Sequence, residues 1–83
     1  MADRPLKLRD LRRILRRHGV GEDPSLGNGS HTTFVKRFPD GTFSFPLPTH
    51  GRDVVLVCYV KAIRKKFRLT EAHGVSDREF YGG

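Results

Sequence analysis

The chain has 83 residues, 36% of them apolar, one cysteine and a formal net charge of +7. That length holds one small core and excludes two independent ones. A single thiol excludes an internal disulfide and points to reducing cytosol, and no run approaches the roughly 18 apolar residues of a membrane span or forms the apolar stretch of a signal peptide near "MADRPLKLRD".

The charge is uneven. Residues 1–18 carry seven Lys/Arg against two Asp, a net of +5, and residues 52–68 carry six against one, again +5. Two basic blocks on one small domain are the footprint of a polyanion binder, because each phosphate neutralised releases counterions.

In chain order, "LKLRDLRRILRRHG" after Pro5 reads as a helix. At about 100° per residue, Leu8, Leu11, Ile14 and Leu15 gather on one face and Arg9, Arg12, Arg13, Arg16 and Arg17 on the other. Gly19 supplies the stop. The segment "VGEDPSL", 20–26, is a loop or a short broken strand, since Pro24 cannot donate to a ladder. A hairpin follows: "HTTFVKRF", a turn at "FPDG", then "TFSFPLP". Alternation puts Phe43, Phe45 and Leu47 on one side and faces them to the core. On the first strand Phe34 and Phe38 share one parity, and His31, Thr33, Val35 and Arg37 the other. With the phenylalanines inward, His31 points to the open face.

The run "DVVLVCYVKAIRKKFRLT" begins ambiguously, because "VVLVCYV" also has the composition of a buried strand. The helical wheel favours a helix from about Leu56 to Phe67, with Arg52 to Val55 extended ahead of it. Leu56, Tyr59, Val60, Ile63 and Phe67 then form the apolar side and Lys61, Arg64 and Lys65 the basic one. Cys58 in this run reads as a small buried hydrophobe. Ser76 is an N-cap for a short turn of helix at Asp77 to Tyr81, within a tail, 71–83, that docks through Phe80 and Tyr81 or lays its acids over the basic face. The sum is an α+β protein, two helices on one face of a small antiparallel sheet.

No phosphate loop, dinucleotide fingerprint or nucleophile elbow is present, and the four histidines (His18, His31, His50, His73) and one cysteine show no metal-ligand spacing. Asp and Glu are too few and scattered for a carboxylate cage, so neither a metal nor another cofactor is expected. Histidine on a cationic surface suffices for one reaction. RNA carries its own nucleophile, the 2′-hydroxyl; an enzyme need only move protons and stabilise charge on the phosphate. His31, entering a strand from the turn "GNGS", is the leading candidate. Those glycines let backbone approach a phosphate closely.

A basic amphipathic helix, then Gly29-Ser30-His31 leading into a strand with Phe34, then a hairpin ending in "PLPTHG", then a helix with "YVKAIRKKFRLT", resembles the HicA toxins of type II toxin-antitoxin modules over about residues 7–70. The resemblance implies a double-stranded-RNA-binding-domain-like fold in the order α-β-β-β-α over 1–70, cleavage of mRNA with His31 as the essential catalytic residue, and a HicB-like antitoxin as partner. It departs from the family in the interrupted segment before Gly-Ser-His and in the tail. The expected RNA contacts are Arg12, Arg16, Arg17, Ser30, Lys36, Arg37, His50, Lys61, Arg64 and Lys65, of which the basic residues follow from charge and not from the family. Two further readings stand beside this one: a non-catalytic RNA-binding module of the same fold, and a subunit whose basic face docks an acidic protein. Oligomeric state is open, with a free monomer the simplest case.

Overall fold

The computed structural model describes residues 3–26, 31–49 and 51–82. Its elements run β1 (Leu6–Lys7), α1 (Leu8–Arg17), β2 (Gly21–Glu22), β3 (His31–Phe38), β4 (Gly41–Pro48), β5 (Val54–Val55), α2 (Val57–Lys66), a 3₁₀ turn (Glu71–His73) and α3 (Asp77–Tyr81). The three-stranded antiparallel sheet has the order β2-β3-β4, and a separate two-stranded ribbon joins β1 to β5.

The first helix begins two residues later than its periodicity predicts. Leu6 and Lys7 are withdrawn by pairing with Val55 and Val54, and the Leu8 N–H donates to the Asp53 carbonyl at 2.7 Å. One ribbon therefore ties together the starts of both long helices. Helix α2 occupies most of the expected span, which resolves the strand-or-helix ambiguity at 53–60: only Val54–Val55 is strand. Two details differ from expectation. Leu56 is the N-cap of α2 and is 47% exposed, and Cys58 lies exposed on the outer side of the helix instead of in the core.

Both long helices end in the same way. At α1 the Val20 N–H reaches back to the Leu15 carbonyl (2.9 Å) and the Gly19 N–H to Arg16 (3.1 Å); at α2 Leu69 reaches Arg64 (2.7 Å) and Arg68 reaches Lys65 (3.3 Å). These paired bonds satisfy carbonyls that have no partner within the helix, and they need a left-handed residue just past its end. Gly19 supplies it with φ +80°, whereas α2 uses Arg68 at φ +58°.

The weak strand at 20–26 narrows to Gly21–Glu22, paired with Val35 and Phe34. The Asp23 N–H extends this ladder to the Thr33 carbonyl at 2.9 Å. Odd-numbered residues of β3 therefore turn their backbone groups toward β2 and even-numbered ones toward β4. Since Thr33 faces Pro46 and His31 faces Pro48, both prolines sit where β4 needs no donor, with their backbone on the free edge. That is how an eight-residue strand accommodates two of them.

One core gathers Leu11, Ile14 and Leu15 from α1, Phe34 and Leu47 from the hairpin, Val60, Ile63 and Phe67 from α2, and Phe80 from α3. Phe38, Phe43 and Phe45, expected in the core, pack against it half-buried. The tail is part of this core. Ser76 and Glu79 form a reciprocal capping box at the start of α3, and Phe80 is fully buried. The tail anchors through Phe80 and Tyr81, and one of its acids, Asp77, also pairs with Arg64 of the basic side of α2. Tyr81 Oη donates to Asp3 Oδ1 at 2.7 Å, so the tail also holds the chain's start.

Candidate nucleic-acid interface

His31 is the first residue of β3, half-buried, on the side of the sheet opposite Phe34. That side carries Thr33, Val35 and Arg37 from β3 and Thr42, Ser44, Pro46 and Pro48 from β4. It is not open throughout. The turn after β2 is held by Asp23, whose carboxylate accepts from the Ser25 N–H and hydroxyl (3.0 and 2.6 Å). Thr33 Oγ1 donates to the Leu26 carbonyl at 3.4 Å and is buried. Arg37 shares the face with His31, but six residues at about 3.3 Å each put it about 20 Å away along the strand.

The expected RNA contacts do not converge on His31. Arg16 is exposed on α1, and Lys61 and Lys65 are exposed on α2. Arg12 Nε pairs with Glu22 at 3.0 Å, and Arg17 Nη2 donates to the Phe80 carbonyl at 3.2 Å. Lys36 has the parity of Phe34, so it lies on the helix side of the sheet, not beside His31. Its ammonium donates to the His18 carbonyl at 2.8 Å, at the negative end of α1. Ser30 and His50 lie outside the described residues, as do the glycines of the turn before His31.

Arg64 is a correction. The wheel assigns it to the solvent side, yet it is 4% exposed. Its Nη1 reaches Asp3 and Asp77, both at 2.7 Å, its Nε donates to the Leu69 carbonyl at 2.9 Å, and its guanidinium lies 4.6 Å from the centre of the Phe80 ring. Burial pulls its pKa down, but the hydrogen bonds it donates to Asp77 and Asp3 outweigh that and raise it. Arg64 in turn holds the Asp77 carboxyl below its usual range, while burial, then Asp3, push the Tyr81 phenol up. This guanidinium is committed to joining α2, α3 and the chain's start, and is not offered to a phosphate.

The structure adds three cations to the expected contacts. Lys7, Arg9 and Arg52 join the expected Arg12 in lining a cavity of about 230 Å³ at the start of α1, with Asp53 the acid among them. Arg52 also lines a smaller cleft against Pro48, the strand partner of His31. The cationic cavity therefore lies toward the His31 end of the hairpin. The sequence signal was faint: Lys7 and Arg52 are 45 positions apart, and only the Lys7↔Val54 pairing of β1 with β5 brings them together. Between β4 and the later turns of α2, a groove of about 700 Å³ is floored by Phe43 and Phe45 and edged by Lys65, Lys66 and Arg68.

Among the described residues no three His, Cys, Asp or Glu side chains gather to hold a metal ion, and no helix is long and apolar enough to cross a membrane. No protein-family model matches the chain, and no curated protein or solved structure matches it to a significant degree.

Proposed function

We propose that this chain is a HicA-like endoribonuclease toxin of the cytoplasm, which cleaves mRNA without a metal, arrests translation, and is neutralised by a HicB-like antitoxin. The observation that carries the proposal is the position of His31 at the mouth of the longest sheet pairing, on the side away from the core, at the hairpin end toward the Lys7, Arg9, Arg12 and Arg52 cavity. The order α1-β2-β3-β4-α2 around one core supports a double-stranded-RNA-binding-domain-like arrangement, a class that reads phosphates and shape instead of base sequence.

In this scheme cations at the α1 cavity hold the RNA backbone, with Arg52 toward the scissile phosphate. His31 carries one of the two proton transfers: it takes the 2′-hydroxyl proton as that oxygen attacks phosphorus, or gives a proton to the departing 5′-oxygen. Such a group contributes about 100- to 10,000-fold. The test is cleavage of an RNA hairpin with single-stranded flanks in EDTA. Wild type is expected to cut, and His31→Ala to lose at least about 100-fold in rate while keeping its affinity. Equal product from both proteins, or none from either, overturns the enzyme reading.

One observation favours the second reading, a non-catalytic RNA binder. Among the described histidines, His18 is stacked on Phe80 and His73 lies by the β4–α2 groove, so neither joins His31 as a second proton-transfer group. Salt-dependent RNA binding by both proteins with no cleavage product identifies that case.

A further inference from the structure

We infer that the groove between β4 and α2 is a docking site for an extended acidic peptide segment of a partner protein, which adds a short fourth strand at the edge of the sheet. This inference stands independently of whether the chain cuts RNA.

Three features converge. The first is the edge. β4 ends the sheet order, and its register turns the backbone of Thr42, Ser44, Pro46 and Pro48 outward. Thr42 and Ser44 are exposed there and present both an N–H and a carbonyl, while Pro46 and Pro48 have no N–H to present. Strand addition is therefore confined to the Thr42–Ser44 end and stops at Pro46, which also protects the rest of the edge from indiscriminate pairing.

The second is the floor. Side chains of an added strand alternate, so every second one falls on the helix side, against half-buried Phe43 and Phe45. The third is charge. Lys65, Lys66 and Arg68 stand along the rim with no acid among the lining residues. Arg68 is partly neutralised by Asp40 at 2.6 Å, but among the described residues neither Lys65 nor Lys66 is in an ion pair. Carboxylates of the incoming strand complement those two ammonium groups.

The same features disfavour a nucleic acid. The Phe43 ring, the natural stacking platform, already has Arg68 at 5.1 Å and Lys66 at 5.7 Å from its centre. A strand edge recognises amide backbone, which a phosphate chain does not have.

The experiment uses the full chain and fluorescence anisotropy. The probe is a labelled eight-residue peptide, Val-Thr-Glu-Thr-Val-Thr-Glu-Thr, whose every second residue brings valine and glutamate in alternation to the helix side; a shuffled peptide with both glutamates at one end and a single-stranded uridine oligonucleotide are the comparators. The alternating peptide is expected to bind at least about tenfold tighter than the shuffled one. Lys65→Glu with Lys66→Glu, and separately Ser44→Pro, should each weaken it about tenfold or more, with thermal melts confirming that both variants fold. His31→Ala should bind like wild type, so failure of the nuclease proposal leaves this readout untouched. Equal binding of both peptides, or full binding by the lysine double variant, overturns the site. Loss of oligonucleotide affinity in that variant, without any peptide affinity in wild type, assigns the groove to RNA and likewise overturns it.

Discussion

Helices α1 and α2 carry the same net charge, five Arg less one Asp against four Lys/Arg, and both end in the same hydrogen-bond pattern. They use their cations differently. Every arginine of α1 keeps its head group at or near the surface, whereas α2 buries Arg64 among Asp3, Asp77 and Phe80. The difference teaches that a count of basic residues overstates the charge available to a polyanion. A cation on the flank of an apolar stripe, as Arg64 is four residues after Val60 and three before Phe67, is within reach of the core, and a third element can close over it.

The comparison breaks most visibly at Arg64. Arg64→Ala removes the buried guanidinium that binds Asp3, Asp77 and the Leu69 carbonyl and should destabilise by about 3–5 kcal/mol in a urea melt, while Arg16→Ala on α1 should stay within about 0.5 kcal/mol of wild type. Similar losses from both would mean that the burial of Arg64 contributes nothing special.

The helix ends carry the next largest effect. Gly19→Ala should cost about 1–2 kcal/mol, because the left-handed backbone is strained for any side chain even though an added Cβ meets only Lys36 at an ordinary 3.6 Å. At the matching position of α2 the order reverses: Arg68→Gly should be about 1 kcal/mol more stable than Arg68→Ala. Both variants lose the pair with Asp40 and the contacts with Phe38 and Phe43, and only the glycine relieves the strain. Equal stability of the two would show that the strain at Arg68 is negligible.

The smallest effect is a pH dependence at the end of α1. His18 stacks on Phe80 at 6.0 Å with Nε2 buried and unpartnered among the described residues. Burial, then neighbouring Arg17, depress its pKa, with Lys36 acting in the same sense and Glu79 opposing it. A histidine whose folded pKa is depressed binds fewer protons folded than unfolded, so its contribution is full above the unfolded value of about 6.5 and is lost as pH falls from there toward the folded pKa. The melting temperature should therefore drop between pH 7.5 and 5.5 in wild type and drop less in His18→Gln. An equal drop in both would place the acid sensitivity elsewhere.

Much of the architecture was legible. The apolar stripe of Leu11, Ile14 and Leu15, the alternation through the hairpin, the N-cap at Ser76 and the anchoring by Phe80 are local patterns, and local patterns survive folding when the core agrees with them. The helix starts were less legible, because Leu6 and Lys7 have helical periodicity and are withdrawn only by pairing with residues nearly fifty positions away. Of the candidate site, only His31 and Arg12 were legible. Parity set the side of the strand His31 occupies, but the turn that buries Thr33 beside it comes from another segment.

By itself, then, the sequence determined the order and kind of the main elements, the outward parity of His31 and the strongly cationic character of the molecule. Tertiary structure decided which cations remain on offer. It turned Lys36 toward the carbonyl end of α1, enclosed Arg64 beneath α3, and assembled Lys7, Arg9, Arg12 and Arg52 from two distant segments. The reason is physical: periodicity is a property of one element, whereas the environment of a charge is set by whichever elements pack around it.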